Sequence, residues 1–373
     1  MNNLLQIRGR LTRRQLTVLS LAGVVLTVVV WYIVAHSLGE RRPIYESAFP
    51  DGMTLSDLTA TQIDSINRVD SLAALASTEY DVVYPVLPPP EDVIAAIPVM
   101  LERDDLLTNT WKSVWLNLRG YVIAIVIALP LAFLIGLIPL VRGLVVKQVD
   151  TLRYLPLTAL TGLFLMWYGI GDTMKIYFLA FGIVVYLLPV VVQRIDEVED
   201  VYLKTVFTLG ATGWQTLWTV YIPSVLSRVW DDIRVLTAIS WTYIIIAELL
   251  NNRGGLGAMI YYGAQRLGRV DKVFALLGII ILIGFLQDRI FRYLDRVLFP
   301  HKHVKQILPA TRQGYDIIRI GLLVLAVGVG LAGYYGIVNL FAIIALLVGV
   351  LFIAYGEYMR WRSLRDNHGL AEG

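Results

Sequence analysis

The chain has 373 residues, of which 57% are hydrophobic and only 16% charged, and its mean hydropathy is +0.66. A soluble domain carries about 25% charged residues, so lipid is the main solvent of this chain. A soluble enzyme, a secreted disulfide scaffold and a disordered protein are excluded, and with no cysteine so are thiol nucleophiles and Cys–zinc sites. The net charge of +3 conceals an asymmetry: residues 36–110 hold 4 basic and 13 acidic side chains, and the rest hold 28 and 16.

Gln15–Gly39 contains no Asp, Glu, Lys or Arg and follows Arg8, Arg10, Arg13 and Arg14. Its length, and the lack of a clear small-residue cleavage site after it, favour an uncleaved first span over a signal peptide. Residues 37–108 form the one sizeable soluble stretch. Thr54 or Ser56 offers a helix cap before Leu58, Ile63 and Ile66. A proline-rich linker, YPVLPPP, then leads into a helix expected to start at Pro90 or Glu91, with acids in its first turn. The segment reads either as a small cap on the bundle or as a docking surface for an extracytoplasmic partner.

Gly120–Val141 is the second uncharged run. Tyr154–Gly171 and Ile176–Gln193 are the third and fourth, joined by the turn GIGDTMK. Val235–Ala247 and Phe274–Gln287 are shorter and need their polar ends sheltered by protein. Ile320–Gly356 is uncharged throughout, too long for one span, and YYGIVN at 334–339 divides it into a hairpin. The expected count is eight spans. With the N-terminus inside, the positive-inside rule places Arg142, Lys147, Arg153, Arg194, Lys204, Arg228, Arg234, Arg289 to Arg319 and Arg360 to Arg365 on one side. Both termini are then cytoplasmic and 37–108 is outside. The 250–272 loop, with Arg253, Arg266, Arg269 and Lys272, fits this rule poorly.

Catalytic signatures do not emerge. His36, His301, His303 and His368 sit at span ends or tails, and neither G-x-S-x-G nor H-E-x-x-H occurs. GVGLAG at 328–333 matches a dinucleotide fingerprint by letter but lies inside an apolar helix. No P-loop occurs, so ATP hydrolysis by that motif is not available to this chain. No nucleic-acid role is indicated.

The loop between the fourth and fifth spans, 195–229, is too long for a turn and too apolar for a solvated linker. Val201, Val206 and Leu209, then Leu217, Trp218 and Tyr221, suggest two short amphipathic helices. Gly210, Ala211 and Gly213 make a permissive joint between them. Pro223 is expected to end the second helix. Its apolar face needs either the underside of its own bundle or a groove on a partner.

This loop resembles that of the integral-membrane permeases of binding-protein-dependent ABC importers. LGATGW at 209–214 and IP at 222–223 carry the family's Gly-to-Pro spacing. LRYLPLTALTGLFLMWYGIGDTMK at 152–175, SWTYIIIAELLNNRGGLG at 240–257 and the LPPPEDV entry at 87–93 are similar to the nitrate, sulfonate and taurine branch. The likeness covers about 85–300. Lys204, Thr205 and Val206 stand at the usual E-A-A positions, and Ser227 replaces a second proline.

The resemblance implies an all-α polytopic fold with a type I importer core, 109–300. Residues 1–36 would precede it as tail and first span, 37–108 as an acidic extracytoplasmic segment, and 301–373 would follow as a hairpin and tail. It implies a non-enzymatic subunit in a bacterial inner membrane. The loop, through Gly210, Ala211, Gly213, Trp214 and Pro223, would sit in a groove on a separate ATPase that holds ATP and magnesium. Two ATPases, a second permease copy, an extracytoplasmic solute-binding protein or lipoprotein and membrane lipid are the implied partners. Trp241, Thr242 and Glu248 are candidates for the pathway or its gate. Glu248 reads alternatively as a partner of Arg253 or a cap on the GGLG turn. A membrane-embedded lipid or glycan enzyme, which needs clustered acids or histidines at one face, and a non-translocating scaffold are the competing readings.

Overall fold

The computed structural model describes residues 11–43, 60–77, 79–250, 254–265, 268–302, 309–335 and 340–371. The chain forms two compact units, 1–107 with 259–278, and 108–258 with 279–373.

In the first unit, α1 (Arg13–Ser37) starts at a capping box. Thr12 Oγ1 accepts from the Gln15 amide, and the Thr12 amide donates to Gln15 Oε1. Two short strands, β1 (Glu40–Pro43) and β2 (Tyr80–Val83), pair antiparallel, and α2 (Ala60–Ala76) lies between them in sequence. The Thr54 and Ser56 caps fall outside the described residues. Helix α3 (Pro90–Arg103) begins where the proline run predicts, with Glu91 and Asp92 in its first turn. The Trp31 indole donates to the Pro88 carbonyl at 2.9 Å, and Lys272 pairs with Asp104 at 2.6 Å. These two contacts join α1, the linker, α3 and the 259–278 stretch.

The second unit is built on α4 (Leu106–Leu137), α5 (Pro139–Leu152), α7 (Asp172–Asp196) and α10 (Ile222–Leu249). Its core runs from Tyr121 to Ile135 on α4, Leu179 to Ile195 on α7 and Val225 to Leu236 on α10. Small residues set the approach of α4 to α7: a Cβ on Gly120 would lie 2.7 Å from Leu179, and one on Gly136 2.7 Å from Ile195. Those matched offsets make the two helices parallel. Helix α12 (Val270–Leu298) gives its first nine residues to the first unit and the rest to the second.

Among the described residues, six helices are long and apolar enough to cross a membrane: α1, α4, α7, α12, α13 (Pro309–Tyr335) and α14 (Leu340–Ala371). The other two expected spans take different forms. Val235–Ala247 lies in α10, which has 28 residues but carries Arg228, Asp231, Asp232 and Arg234 in its first half. Tyr154–Gly171 is not one helix. Pro156 interrupts it, a 3₁₀ turn follows at Leu157–Leu160, and α6 (Thr161–Tyr168) has only eight residues, about 12 Å. The expected turn GIGDTMK is also shorter than its letters suggest. Helix α7 already begins at Asp172, so Lys175 lies inside it.

The hairpin of α13 and α14 is held by a seven-residue period that the apolar run conceals. Gly314, Gly321 and Gly328 on α13, and Ala342, Gly349, Gly356 and Ser363 on α14, are all buried. A Cβ on Gly321 would lie 3.0 Å from the Gly349 carbonyl, and one on Gly356 2.8 Å from that of Gly314. The backbones therefore touch, as small residues permit in membrane helix pairs, and the strict heptad implies a left-handed crossing. Thus Gly328 of GVGLAG packs against Leu346 and Gly333 against the Trp115 ring, so these glycines serve helix packing. The turn itself, 336–339, lies outside the described residues.

Gly349→Leu should force these backbones apart and destabilise the purified protein by about 1–3 kcal/mol. Gly330→Leu, where an added Cβ meets nothing within 4 Å, should leave the melting temperature unchanged. Thermal unfolding in detergent checks both.

Candidate functional site

The 195–229 segment forms two helical pieces around a glycine. Helix α8 (Asp200–Thr208) ends in a Schellman arrangement. The Ala211 amide donates to the Val206 carbonyl and the Gly210 amide to that of Phe207, both at 3.0 Å. Gly210 has φ +78°, the left-handed conformation that favours glycine. Thr212 then opens α9 (Gly213–Thr216) with a second capping box, closed by Gln215. Pro223 does not end this helix. A π turn at Leu217–Tyr221 leads directly into α10, so the chain stays helical from Gly213 to Leu249. The wider turn shifts the hydrogen-bond register just where proline has no N–H to give.

This segment leaves apolar surface uncovered. No residue of α8 is fully buried. Leu203, Val206 and Tyr221 lean on the core, while Phe207, Leu209, Trp214 and Trp218 are 56%, 81%, 67% and 55% exposed. Trp214 and Trp218 meet edge-on, and Gly213 and Pro223 are exposed beside them. Ala211 is half-buried.

Charges fix the base of the segment. Arg194 grips Asp232 with two hydrogen bonds, at 2.7 and 2.8 Å, and donates a third to Glu197 at 2.7 Å. Arg228 donates to the Glu197 carbonyl at 2.7 Å. Arg142 binds Asp196 with two bonds. Forked guanidinium–carboxylate pairs of this kind combine strength with directional control. The Arg194 guanidinium holds the Glu197 carboxyl below its usual range.

At the opposite end of the same helices lies a buried polar layer. Glu248 has no exposed surface. Its carboxylate accepts from Ser113 Oγ at 2.7 and 2.9 Å and from the Gly257 amide at 2.8 Å. The Leu256 amide donates to the same Ser113 hydroxyl, and the Gly255 amide to Asn109. Glu248 therefore caps the GGLG turn. Arg253, its other candidate partner, lies outside the described residues. One turn deeper, Ser240 donates to Asn117 Oδ1 at 3.0 Å, and deeper again the Tyr121 hydroxyl donates to the Ile233 carbonyl.

The three candidate pathway residues do not share one face. Trp241 is buried and donates to Gln287 Oε1 at 2.9 Å; Glu248 is buried; Thr242 is exposed. Sequence reasoning missed Lys175, which is wholly buried on α7. Its charge was assigned to a turn. The detectable signal was the Asp172–Lys175 spacing of three, which places both on one helical face.

In the first unit, an open cleft of about 450 Å³ is lined in part by Tyr84, Asp92, Ala96, Arg269 and Asp271. Burial, with the Glu91 and Asp271 carboxylates behind it, pushes the Asp92 carboxyl up. No metal-binding cluster of histidines and acids occurs among the described residues.

Long apolar helices, together with a buried polar layer within the second unit, define a polytopic membrane protein. Residues 93–299 match the family described as the binding-protein-dependent transport system inner membrane component, and the chain belongs to that family. It is 32% identical over 204 residues to a putative ABC transporter permease of Methanocaldococcus jannaschii, covering 54% of this chain and 75% of that one. Over 219 residues it is 28% identical to the taurine transport system permease TauC of Escherichia coli, covering 57% and 79%. Over 216 residues it is 26% identical to the putative aliphatic sulfonates permease SsuC of Bacillus subtilis, covering 57% and 77%. A methionine ABC transporter solved in inward-facing conformations aligns at 19% identity over 51% of this chain, with a TM-score of 0.43. The chain is thus a permease subunit of an ABC import system.

Gly255 cannot carry a side chain. Its φ is +106°, and a Cβ would sit 2.3 Å from Glu248 Oε1. Gly255→Ala should cost more than about 2 kcal/mol, through strain and the displaced carboxylate. Gly268→Ala, with φ +68° but open space around it, should cost only about 1 kcal/mol. Melting temperatures of the purified variants test the difference.

Proposed function

We propose that this permease couples solute passage to a separate ATPase through the 195–229 segment, with Gly210, Ala211, Gly213, Trp214 and Pro223 at the contact. The observation that carries the reading is the uncovered apolar patch of Phe207, Leu209, Trp214 and Trp218 on two short, well-capped helices. Apolar surface of this kind outside a span marks a protein interface. The Arg194–Asp232–Glu197 cluster ties the patch to α7 and α10, so a push on it reaches both helices. ATP and magnesium belong to the partner.

Two permease copies enclose the pathway, lined in part from α10. Both termini and the 195–229 segment lie in the cytoplasm, and 37–108 lies outside, where the cleft near Asp92 and Asp271 faces a solute-binding protein. The acidic balance of that segment favours a partner with basic or apolar residues at the contact. Residues 109–300 are the transport core, and 301–373 add the extra hairpin and tail. Relatives named for taurine and aliphatic sulfonates make a small sulfonate the first solute to test.

Gly210→Glu and Trp214→Ala should each lower solute uptake at least about tenfold while the permease still inserts, because they strain or empty the contact. Co-purification of the ATPase with each variant shows whether the contact itself is lost. Wild-type uptake and wild-type ATPase stimulation in Gly210→Glu would refute the coupling role.

Orientation has its own test, since the native chain has no cysteine. A cysteine at the exposed position Ser65 should react with an impermeant maleimide in intact cells, and one at Lys204 only after the cells are opened. The reverse pattern would invert the topology.

A further inference from the structure

The buried polar layer contains two donors that make no hydrogen bond among the described residues. Lys175 is fully buried, and its Nζ has no hydrogen-bond partner among the described residues. Asp172 Oδ1, on the same helix, forms an ion pair with it at 3.7 Å, beyond hydrogen bonding, and is itself buried without a hydrogen-bond partner among the described residues. Glu248, the other acid acting on Lys175, has its oxygens engaged by Ser113 and Gly257. Lys112 also faces the group and sits 3.9 Å from Asp172. Asn117 Nδ2 is a second buried donor with no hydrogen-bond partner among the described residues.

These donors share a level in the bundle. A Cβ on Gly120 would lie 3.1 Å from the Ile176 carbonyl, so α4 near Asn117 runs beside α7 near Lys175. Ser240 of α10 reaches the same level through its bond to Asn117. The layer also adjoins the N-terminal turn of α7, whose free amides favour negative charge. A lysine buried inside a membrane bundle is costly, and such residues mark the routes of ions and solutes. A purely structural lysine at this depth would be expected to have its hydrogens taken by the acids around it.

We propose that Lys175, with the amide of Asn117, receives the acid group of a small organic anion as it crosses the membrane. This rests on the reading of the chain as the transport pathway and specifies its solute as a carboxylate or sulfonate. Lys175 supplies the attraction and Asn117 a directional donor. Glu248 stays held by Ser113 and the GGLG turn, which keeps its charge occupied as the anion passes. In this structure Lys175, Asn117 and Ser240 are closed to solvent, so the anion reaches them in another state of the transport cycle.

A cysteine reporter tests the local charge without requiring knowledge of the solute. Asn117→Cys in the full chain, in native membrane vesicles with and without ATP, is treated with sulfonatoethyl methanethiosulfonate and with its trimethylammonium counterpart. Rates are normalised to those of a free thiol. The sulfonate reagent should be favoured at least about tenfold, because one charge about 4–6 Å away separates an anion from a cation by that factor even when screened as in water. The preference should disappear or reverse in Lys175→Met and persist in Lys175→Arg. Equal rates, a preference for the cation, an unchanged ratio in Lys175→Met, or no reaction in either nucleotide condition would overturn the proposal. Ser240→Cys reports on the same layer if Asn117→Cys fails to insert. The charge preference is a ratio taken within one nucleotide condition and does not depend on the 195–229 contact, whereas a change in reactivity on adding ATP does, so failure of the charge reading is separable from failure of coupling.

Discussion

A carboxylate with no access to water governs how α4 and α10 meet. Glu248 is surrounded by protein in a bundle that lipid surrounds in turn, so its charge must be satisfied locally. Ser113 and the Gly257 amide do this, and in doing so they bring α4, the end of α10 and the following turn to one point. Losing one partner from such a group costs more than the bond itself, because the remaining charge stays buried. The glycines of the turn follow from the same demand. A side chain at 255 would occupy the space of the carboxylate, and a Cβ at 257 would lie 2.5 Å from the Ile245 carbonyl. The bonds from Ser240 to Asn117 and from Tyr121 to Ile233 then continue the α4–α10 register through the unit.

The other end of α10 is governed by ions in a wetter setting. Asp232, held by Arg194, stands four turns from Glu248 along one continuous helix. The helix is thus pinned by hydrogen bonds to neutral groups at one end and by forked ion pairs at the other. The π turn before Pro223 lets the α9 segment join it without a break. A displacement of the exposed tryptophans at 214 and 218 therefore has a stiff path to the polar layer.

Much of this was legible in the sequence. Uncharged runs revealed the long helices, because bilayer thickness sets their length whatever the fold. The proline run fixed the start of α3, and the Gly-to-Pro spacing located the 195–229 segment. Three features were not legible, each for a physical reason. Pro223 looked like a terminator because a π turn leaves no mark in local propensity. Lys175 looked like a turn residue because sequence alone does not show that a flanking charge is folded inward. Tyr154–Gly171 looked like a span because composition does not register the interruption at Pro156. The polar layer needed three helices to come together, and its α4 and α7 members, Ser113, Asn117 and Lys175, lie just outside the uncharged runs.

The glycine heptads of α13 and α14 bear on how the chain acquires its last two membrane helices. Only four residues separate the two helices, and their glycines pack against each other along both helices. Closing so short a connection costs little entropy. Backbones in direct contact leave no room for an acyl chain between them. The pair can then enter the bilayer already assembled, as a self-contained addition following residue 299, where the family match ends. A fusion at the end of a transport core would add this hairpin with contacts such as those where Tyr293 meets Glu357, where Arg319 donates to the Val297 and Leu298 carbonyls and where Trp115 lies against Gly333.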